Sequence, residues 1–248
     1  MRGATHEHRW LQRTMVVERA LATLRTRIAR PLLCRLRRPF VLERIARASE
    51  VRLLGHRLRT DPAVFHPLYF SSSRILAEHL LERPLRGLRV LDMGTGAGPI
   101  GIVAAAAGAT VTACDRNPRA VTLARENTTL NGVHAEVLES DLFSALSGRK
   151  FDLICFNIPF FERNPANHRE AAFYAGRNLE TVRLFAHGSA QYLAADGRVV
   201  VIFSEDCDCD RILLAFTEAG FSVESKRVTR RLFEDFHVTW FRRQESLE

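Results

Sequence analysis

The sequence predicts an α/β protein: a doubly wound, mostly parallel seven-stranded sheet with a C-terminal antiparallel hairpin, preceded by a helical segment. Three observations carry this. From Leu88 onward, short apolar runs alternate with stretches of helical periodicity. The first of those runs empties into a glycine-rich turn that opens a helix at Pro99. The last two runs follow each other with only a short turn between them, the spacing of a hairpin.

Two amphipathic helices are expected at the front. Val17, Leu21, Leu24 and Ile28 recur at helical spacing between arginines over Val16–Ile28, and Val41, Ile45, Ala48, Val51, Leu54 and Leu58 do so over Phe40–Leu58. Pro31 and Pro39 punctuate the connection, and Thr60-Asp61-Pro62 ends the pattern. Phe65 to Phe70 reads as an extended aromatic linker. Ser71–Arg83 reads as a helix with serines placed to cap it. The strands then fall at Arg89–Met93, Thr110–Asp115, Ala135–Glu139, Phe151–Asn157 and Arg198–Ser204. The helices between them fall at Pro99–Ala107, Pro118–Leu130 and Leu179–Leu193. Near-continuous apolar strands of this kind are covered on both faces, hence parallel. After a helix at Ile212–Ala219, Ser222–Arg230 and Phe236–Arg242 form the closing hairpin. This divides the 248 residues into a basic helical segment, 1–62, and an α/β domain, 63–248.

Composition narrows the setting. Apolar residues make up 46% and charged residues 26%, enough for a core under a charged surface. No apolar run approaches the roughly 20 residues that span a bilayer. The first residues lack a signal-peptide core, so a cytoplasmic location is expected. The formal charge of +8 sits at one end: residues 1–60 hold 15 Arg against 4 Glu, and the remainder is slightly acidic. That asymmetry points to an acidic partner or an oligomer contact for the N-terminal helices, or else to a solvated basic face. Five cysteines form no paired framework, Cys114 and Cys155 lie in apolar runs, and Cys207-Asp208-Cys209 lacks a second ligand pair, so no metal is expected.

The chemistry begins at Asp92-Met-Gly94-Thr95-Gly96-Ala-Gly98, where glycines let the backbone approach a ligand at the carboxyl edge of the sheet. A dinucleotide fingerprint counted from Gly94 would put its third glycine on Pro99 and fails, whereas the shifted frame Gly96-x-Gly98-x-x-Gly101 matches but starts two residues late, so the loop alone points only to a nucleotide-like cofactor. Asp115 ends the second strand, where a carboxylate can accept from both ribose hydroxyls, with Arg116 and Asn117 beside it. Asp141 ends the third strand, placed to accept from an adenine amino group while Leu142 supports the ring. Three acidic strand ends without a nearby lysine suit a cationic adenosine cofactor better than a pyrophosphate.

The fourth strand ends in Asn157-Ile158-Pro159-Phe160-Phe161. With the Asp115–Asn127 stretch, Ser140–Phe143, and Ala172–Thr181, this block resembles the class I S-adenosylmethionine-dependent methyltransferases that carry an Asn-Pro-Pro-Tyr/Phe motif. It is similar in particular to the HemK-like protein-glutamine N-methyltransferases. The resemblance runs from about residue 64 to the C-terminus and implies a Rossmann-like domain with S-adenosyl-L-methionine as cofactor. Ile158 stands where the family has its first proline. The implied chemistry is methylation of a planar nitrogen, whose delocalised lone pair is a poor nucleophile. The Asn157 and Ile158 carbonyls would each accept an N–H, Pro159 would fix the turn, and Phe160 would stack on the planar group. Phe65, Tyr69 and Phe161 would line an aromatic acceptor pocket. A protein glutamine, a nucleobase and a small molecule all remain open as acceptors. If the acceptor were carbon, a small-molecule reading, a general base would be needed, and Glu170 is the candidate. A binding module with a silent site and a dehydrogenase are the remaining alternatives.

Overall fold

The computed structural model describes residues 49–67, 71–231 and 234–244; the helix expected over Val16–Ile28 and the site residue Tyr69 lie outside them. The first described element corrects the sequence reading. Where the spacing predicts the end of a helix, Glu50–Leu53 (β1) and His56–Arg59 (β2) pair antiparallel. Leu54 and Gly55 turn between them with φ of 48° and 88°, the left-handed pair that a two-residue hairpin turn requires. Leu53 and Leu58 face the core while Arg52, Arg57 and Arg59 face water, so the alternation has a period of two.

Two asparagines hold the hairpin. They lie one turn apart on a helix, Pro118–Leu130 (α3), and at its C-cap. The Asn127 side chain accepts from the Arg59 amide at 2.7 Å and donates to the carbonyls of Arg59 and Ala97. Asn131 accepts from the Arg57 amide at 2.9 Å and donates to the Arg57 carbonyl. The two carboxamides thus mimic a neighbouring strand and cover the open edge of β2.

The α/β part follows the predicted rhythm. After Ser72–Leu80 (α1) come Arg89–Met93 (β3), Pro99–Ala106 (α2), Thr110–Asp115 (β4), α3, Ala135–Glu139 (β5) and Phe151–Asn157 (β6). A short helix at His168–Ala171 (α4) precedes Glu180–Tyr192 (α5), Leu193–Ser204 (β7), Cys209–Glu218 (α6), Phe221–Arg230 (β8) and Asp235–Arg243 (β9). The sheet order is β5-β4-β3-β6-β7-β9-β8, parallel except for the β7-β9 and β9-β8 pairs. Side chains alternate between two cores. Val90, Leu153, Cys155, Val200, Ile202 and Val238 pack under α1, α2, α3 and the hairpin. Leu91, Ile154, Phe156, Val201, Phe203 and Phe241 pack under α5 and α6. On the second face the His237 ring stacks on Phe203 at 5.5 Å and Cys114 is fully buried, while Cys155 is buried on the first face. No described helix is long and apolar enough to cross a membrane.

The chain leaves β3 for β4 and β5 on one side and returns through β6 and β7 on the other. The carboxyl ends of β3, β4 and β6 therefore meet at the switch point where such sheets bind ligands. Removing the hairpin's clasp should be costly. Asn127→Ala strips partners from buried backbone groups and is expected to lower the unfolding free energy by about 1–3 kcal/mol. Asn131→Ala, at an exposed edge, should cost less than half as much in the same urea titration. Equal losses would mean that the two amides are not graded by burial.

Candidate active site

The turn out of β3 is built on left-handed glycines: Gly94, Gly96 and Gly98 have φ of 64°, 57° and 87°. A side chain at Gly94 would lie 2.6 Å from the Phe156 ring, so this turn can lie against β6 only without one. The Asp92 carboxylate pins the turn from beneath, its Oδ2 accepting from Thr95 Oγ1 at 2.6 Å and from the Gly101 amide in α2 at 2.9 Å. Asp92 is 2% exposed. Burial, with some repulsion from Asp115, pushes its carboxyl up to about 7 against the pull of those two hydrogen bonds.

Asp115, at the end of β4, accepts from the Gly96 and Asn117 amides, each at 2.9 Å. Its carboxyl is also raised, again chiefly by burial. Asn117 caps α3 by accepting from the Arg119 amide and donates to the Ala63 carbonyl. That bond, the Asp61–Arg119 ion pair, and Val64 packed among Ala97, Ala120 and Leu123 strap residues 61–65 across the glycine turn. Asp141 is more exposed, 3.8 Å from the Arg116 guanidinium. Leu142 beside it adopts φ 49°.

These groups enclose one cleft of about 1020 Å³, part of it open to solvent. Asp92, Gly94, Thr95 and Gly96 form its floor; Asp115, Arg116, Asn117, Asp141 and Leu142 line it from β4 and β5; Asn157 and Pro159 close it from β6; and Phe65 stands across from them. Gly98 lies outside, spent on the helix N-cap. Four other expected residues are also absent from the wall. Ile158 is 1% exposed in the second core, Phe160 packs against that core, and the Phe161 ring lies tilted against Phe160 with centroids 4.8 Å apart while facing solvent. Glu170 turns its carboxylate to the Ala166 amide at 2.9 Å, and its own amide donates to Asn167 Oδ1, which makes it a helix-capping residue of α4.

The structure adds residues that the sequence reading omits. Ala63, Val64, Pro67, Ser73 and Thr181 line the cleft, and so do His168 and Arg169 of the loop expected, with Glu170, to cover the acceptor. The segment after β6 folds back as a ribbon through bridges at Phe161–Tyr174 and Arg163–Gly176, and this places α4, with His168 and Arg169, over the opening. His168 is close enough to favour the ionised form of Asp115. No single signal in the sequence marks these positions, because the strap and the ribbon are set by contacts across the fold.

Residues 55–227 match the family model described as the methyltransferase small domain. The chain belongs to this family. A putative protein N5-glutamine methyltransferase of Methanocaldococcus jannaschii is 31% identical over 194 residues, 76% of this chain and 96% of that one. The release factor glutamine methyltransferase of Deinococcus radiodurans is 35% identical over 170 residues, 62% of this chain and 59% of that one. A solved 16S rRNA methyltransferase of T. thermophilus, in complex with AdoMet and guanosine, shares the fold with a TM-score of 0.60 at 23% identity. It is covered over 50% of its length by 79% of this chain. The protein is a class I S-adenosylmethionine-dependent methyltransferase of the HemK-like type. The cleft suits that cofactor: it sets two buried carboxylates where a cationic adenosine compound would meet them, and the glycine turn keeps side chains from its floor.

The raised carboxyl of Asp92 predicts that cofactor binding is linked to a proton. A cation in the cleft favours ionised Asp92, so binding lowers its raised pKa and releases a proton. Affinity for S-adenosylmethionine should rise as pH increases towards about 7 and level off above it. Calorimetry in two buffers of different ionisation enthalpy should detect the proton, and Asp92→Asn should lose that part of the signal. The same proton count in both proteins would contradict this.

Proposed function

We propose that this methyltransferase modifies a planar nitrogen, and that its acceptor is the side-chain carboxamide of a glutamine in a protein. The observation that carries the reading is Asn157. Its carboxamide stands at the cleft wall at the end of β6, one residue past Phe156, which packs against Gly94 of the cofactor turn. Its nitrogen is occupied by two serine hydroxyls, and among the described residues no donor reaches its oxygen. The glutamine-modifying activities in the names of the two relatives support the same acceptor.

The cofactor, when bound, supplies an electrophilic methyl group on a sulfonium sulfur. We assign Asp115 to the ribose hydroxyls, Asp141 and Leu142 to the adenine, and Asp92, Thr95, Gly94 and Gly96 to the turn beneath, with Arg116 and Asn117 flanking it. Asn157 Oδ1 accepts one N–H of the substrate amide, holding the nitrogen in line with the methyl group and stabilising the charge that develops on it. The sulfonium would leave as a neutral thioether as its methyl passed to the nitrogen, and the methylated nitrogen would then give a proton to water. No strong base is needed. This agrees with Glu170 being used to cap α4 rather than to face the cleft. Phe65, whose ring lies 5.3 Å from Phe173, supplies the apolar side of the acceptor entrance.

Asn157→Ala is expected to lower kcat/KM on a glutamine acceptor by about 100-fold or more. Glu170→Gln should leave turnover within about twofold. Inactivity of Glu170→Gln with Asn157→Ala still active would instead favour carbon methylation. The basic segment, 1–62, we assign to docking an acidic face of the acceptor protein. Because Glu50–Arg59 packs into the α/β core, the informative removal stops at residue 48. Such a chain should bind cofactor as before and turn over a protein acceptor at least about tenfold more slowly at low salt. Unchanged turnover would reject the docking role.

A further inference from the structure

The serines that open α1 are placed to cap it, yet Ser71 at the N-cap makes no side-chain cap bond. The next two hydroxyls are used elsewhere. Asn157 Nδ2 donates to Ser72 Oγ at 3.0 Å and to Ser73 Oγ at 3.2 Å, across 85 and 84 residues of sequence. Both serines are buried, and Ser73 shares the cleft wall with Asn157. They are held rigidly, since Ile75, Leu76 and Leu80 on the same helix are fully packed into the first core.

We infer that Ser72 and Ser73 are positioning residues for methyl transfer: they take both Nδ2 protons of Asn157 and so keep its carbonyl oxygen turned to the acceptor. The terminal torsion of an asparagine is broad and close to two-fold. An unsupported Asn157 would therefore present its NH₂ as readily as its oxygen, setting a donor against the N–H of the substrate. Two acceptor oxygens on one rigid helix end remove that ambiguity, because the carboxamide has two N–H donors on one side only. The helix that carries them contributes neither to the glycine turn nor to the acidic strand ends. Asn157 is thus oriented by hydroxyls that take no part in shaping the glycine turn.

This inference rests on the reading of Asn157 as the group that receives the substrate N–H, and its test separates the two. In ¹⁵N-labelled full-length protein, the Asn157 side-chain signal is assigned by its loss in Asn157→Asp. Its two Nδ2 protons should exchange with water at least about tenfold more slowly than those of exposed Asn164, and Ser72→Ala/Ser73→Ala should abolish that protection. Equal exchange at Asn157 and Asn164 in the parent protein would overturn the orientation, whatever the acceptor.

Activity is then read with a glutamine-containing peptide as the probe. The double alanine variant should lose about tenfold or more in kcat with KM and cofactor affinity little changed, and Ser72→Thr/Ser73→Thr, which keeps both hydroxyls, should recover most of it. Retained cofactor affinity also shows that the variant is folded. Protection lost with kcat unchanged would overturn the positioning role. A parent protein that methylates no glutamine peptide would reject the acceptor reading alone, and the exchange measurement would still decide the orientation of Asn157.

Discussion

A single buried carboxylate ties the cofactor half of the cleft together. Asp92 leaves β3 at the point where the chain must turn through three left-handed glycines and start α2, and its Oδ2 receives a bond from each side of that turn. Thr95 is held by its hydroxyl and Gly101 by its amide, so the start of the loop and the first turn of the helix cannot separate. Burial makes that carboxylate hard to ionise, and the nearby Asp115 adds to the difficulty. A site left in this condition is short of positive charge. On the proposed reading, a cationic ligand would relieve both carboxylates, whereas a pyrophosphate would worsen their repulsion. The geometry that shapes the turn and the charge that selects the ligand come from one residue.

The remaining walls are anchored to that turn by side chains of α3 and by β6. Asn127 reaches the Ala97 carbonyl inside the turn and the Arg59 backbone in the hairpin, so it couples β2 to the floor of the cleft. Asn117 does the same for the strap at Ala63. Phe156 packs against Gly94 from the other neighbour of β3. Each wall is therefore fixed relative to Asp92 by a short-range contact, though the residues involved are scattered from position 59 to 157.

How much of this was legible in the sequence follows from the range of the forces involved. Strands and helices from Arg89 onward obey local periodicity, and the acidic residues at strand ends lie where the strand pattern stops. The hairpin departs from the helix reading because Val51, Leu54 and Leu58 satisfy helical spacing, while Val51 and Leu53 before the turn and Leu58 after it satisfy the alternation of two separate short strands. What decides between them is the pair of amides on α3, about seventy residues away. Glu170, the candidate base for a carbon acceptor, is instead placed by a local signal. Asn167 and Glu170 have the three-residue spacing of a capping pair, a local signal that outweighs the presence of a carboxylate near the expected acceptor. Ser72 and Ser73 looked like caps, and no local rule could have joined them to Asn157.

The departure at Ile158 is best understood through packing. A proline at that position would restrict the turn after β6 through its ring, which fixes one backbone angle. Here the position is filled by an isoleucine that is 1% exposed and contributes to the second core, alongside Phe160 two residues on. Beyond them the chain is held by the Phe161–Tyr174 and Arg163–Gly176 bridges, with the Arg163 guanidinium 5.0 Å from the Tyr174 ring centre. Constraint has passed from a covalent ring to side chains buried under α5 and to a ribbon that closes over the cleft. Asn157 and Pro159 lie on the wall, and the Phe160 and Phe161 rings lie off it. The cleft is bordered by Phe65 on the strap and by His168 and Arg169 on the ribbon rather than by Phe160.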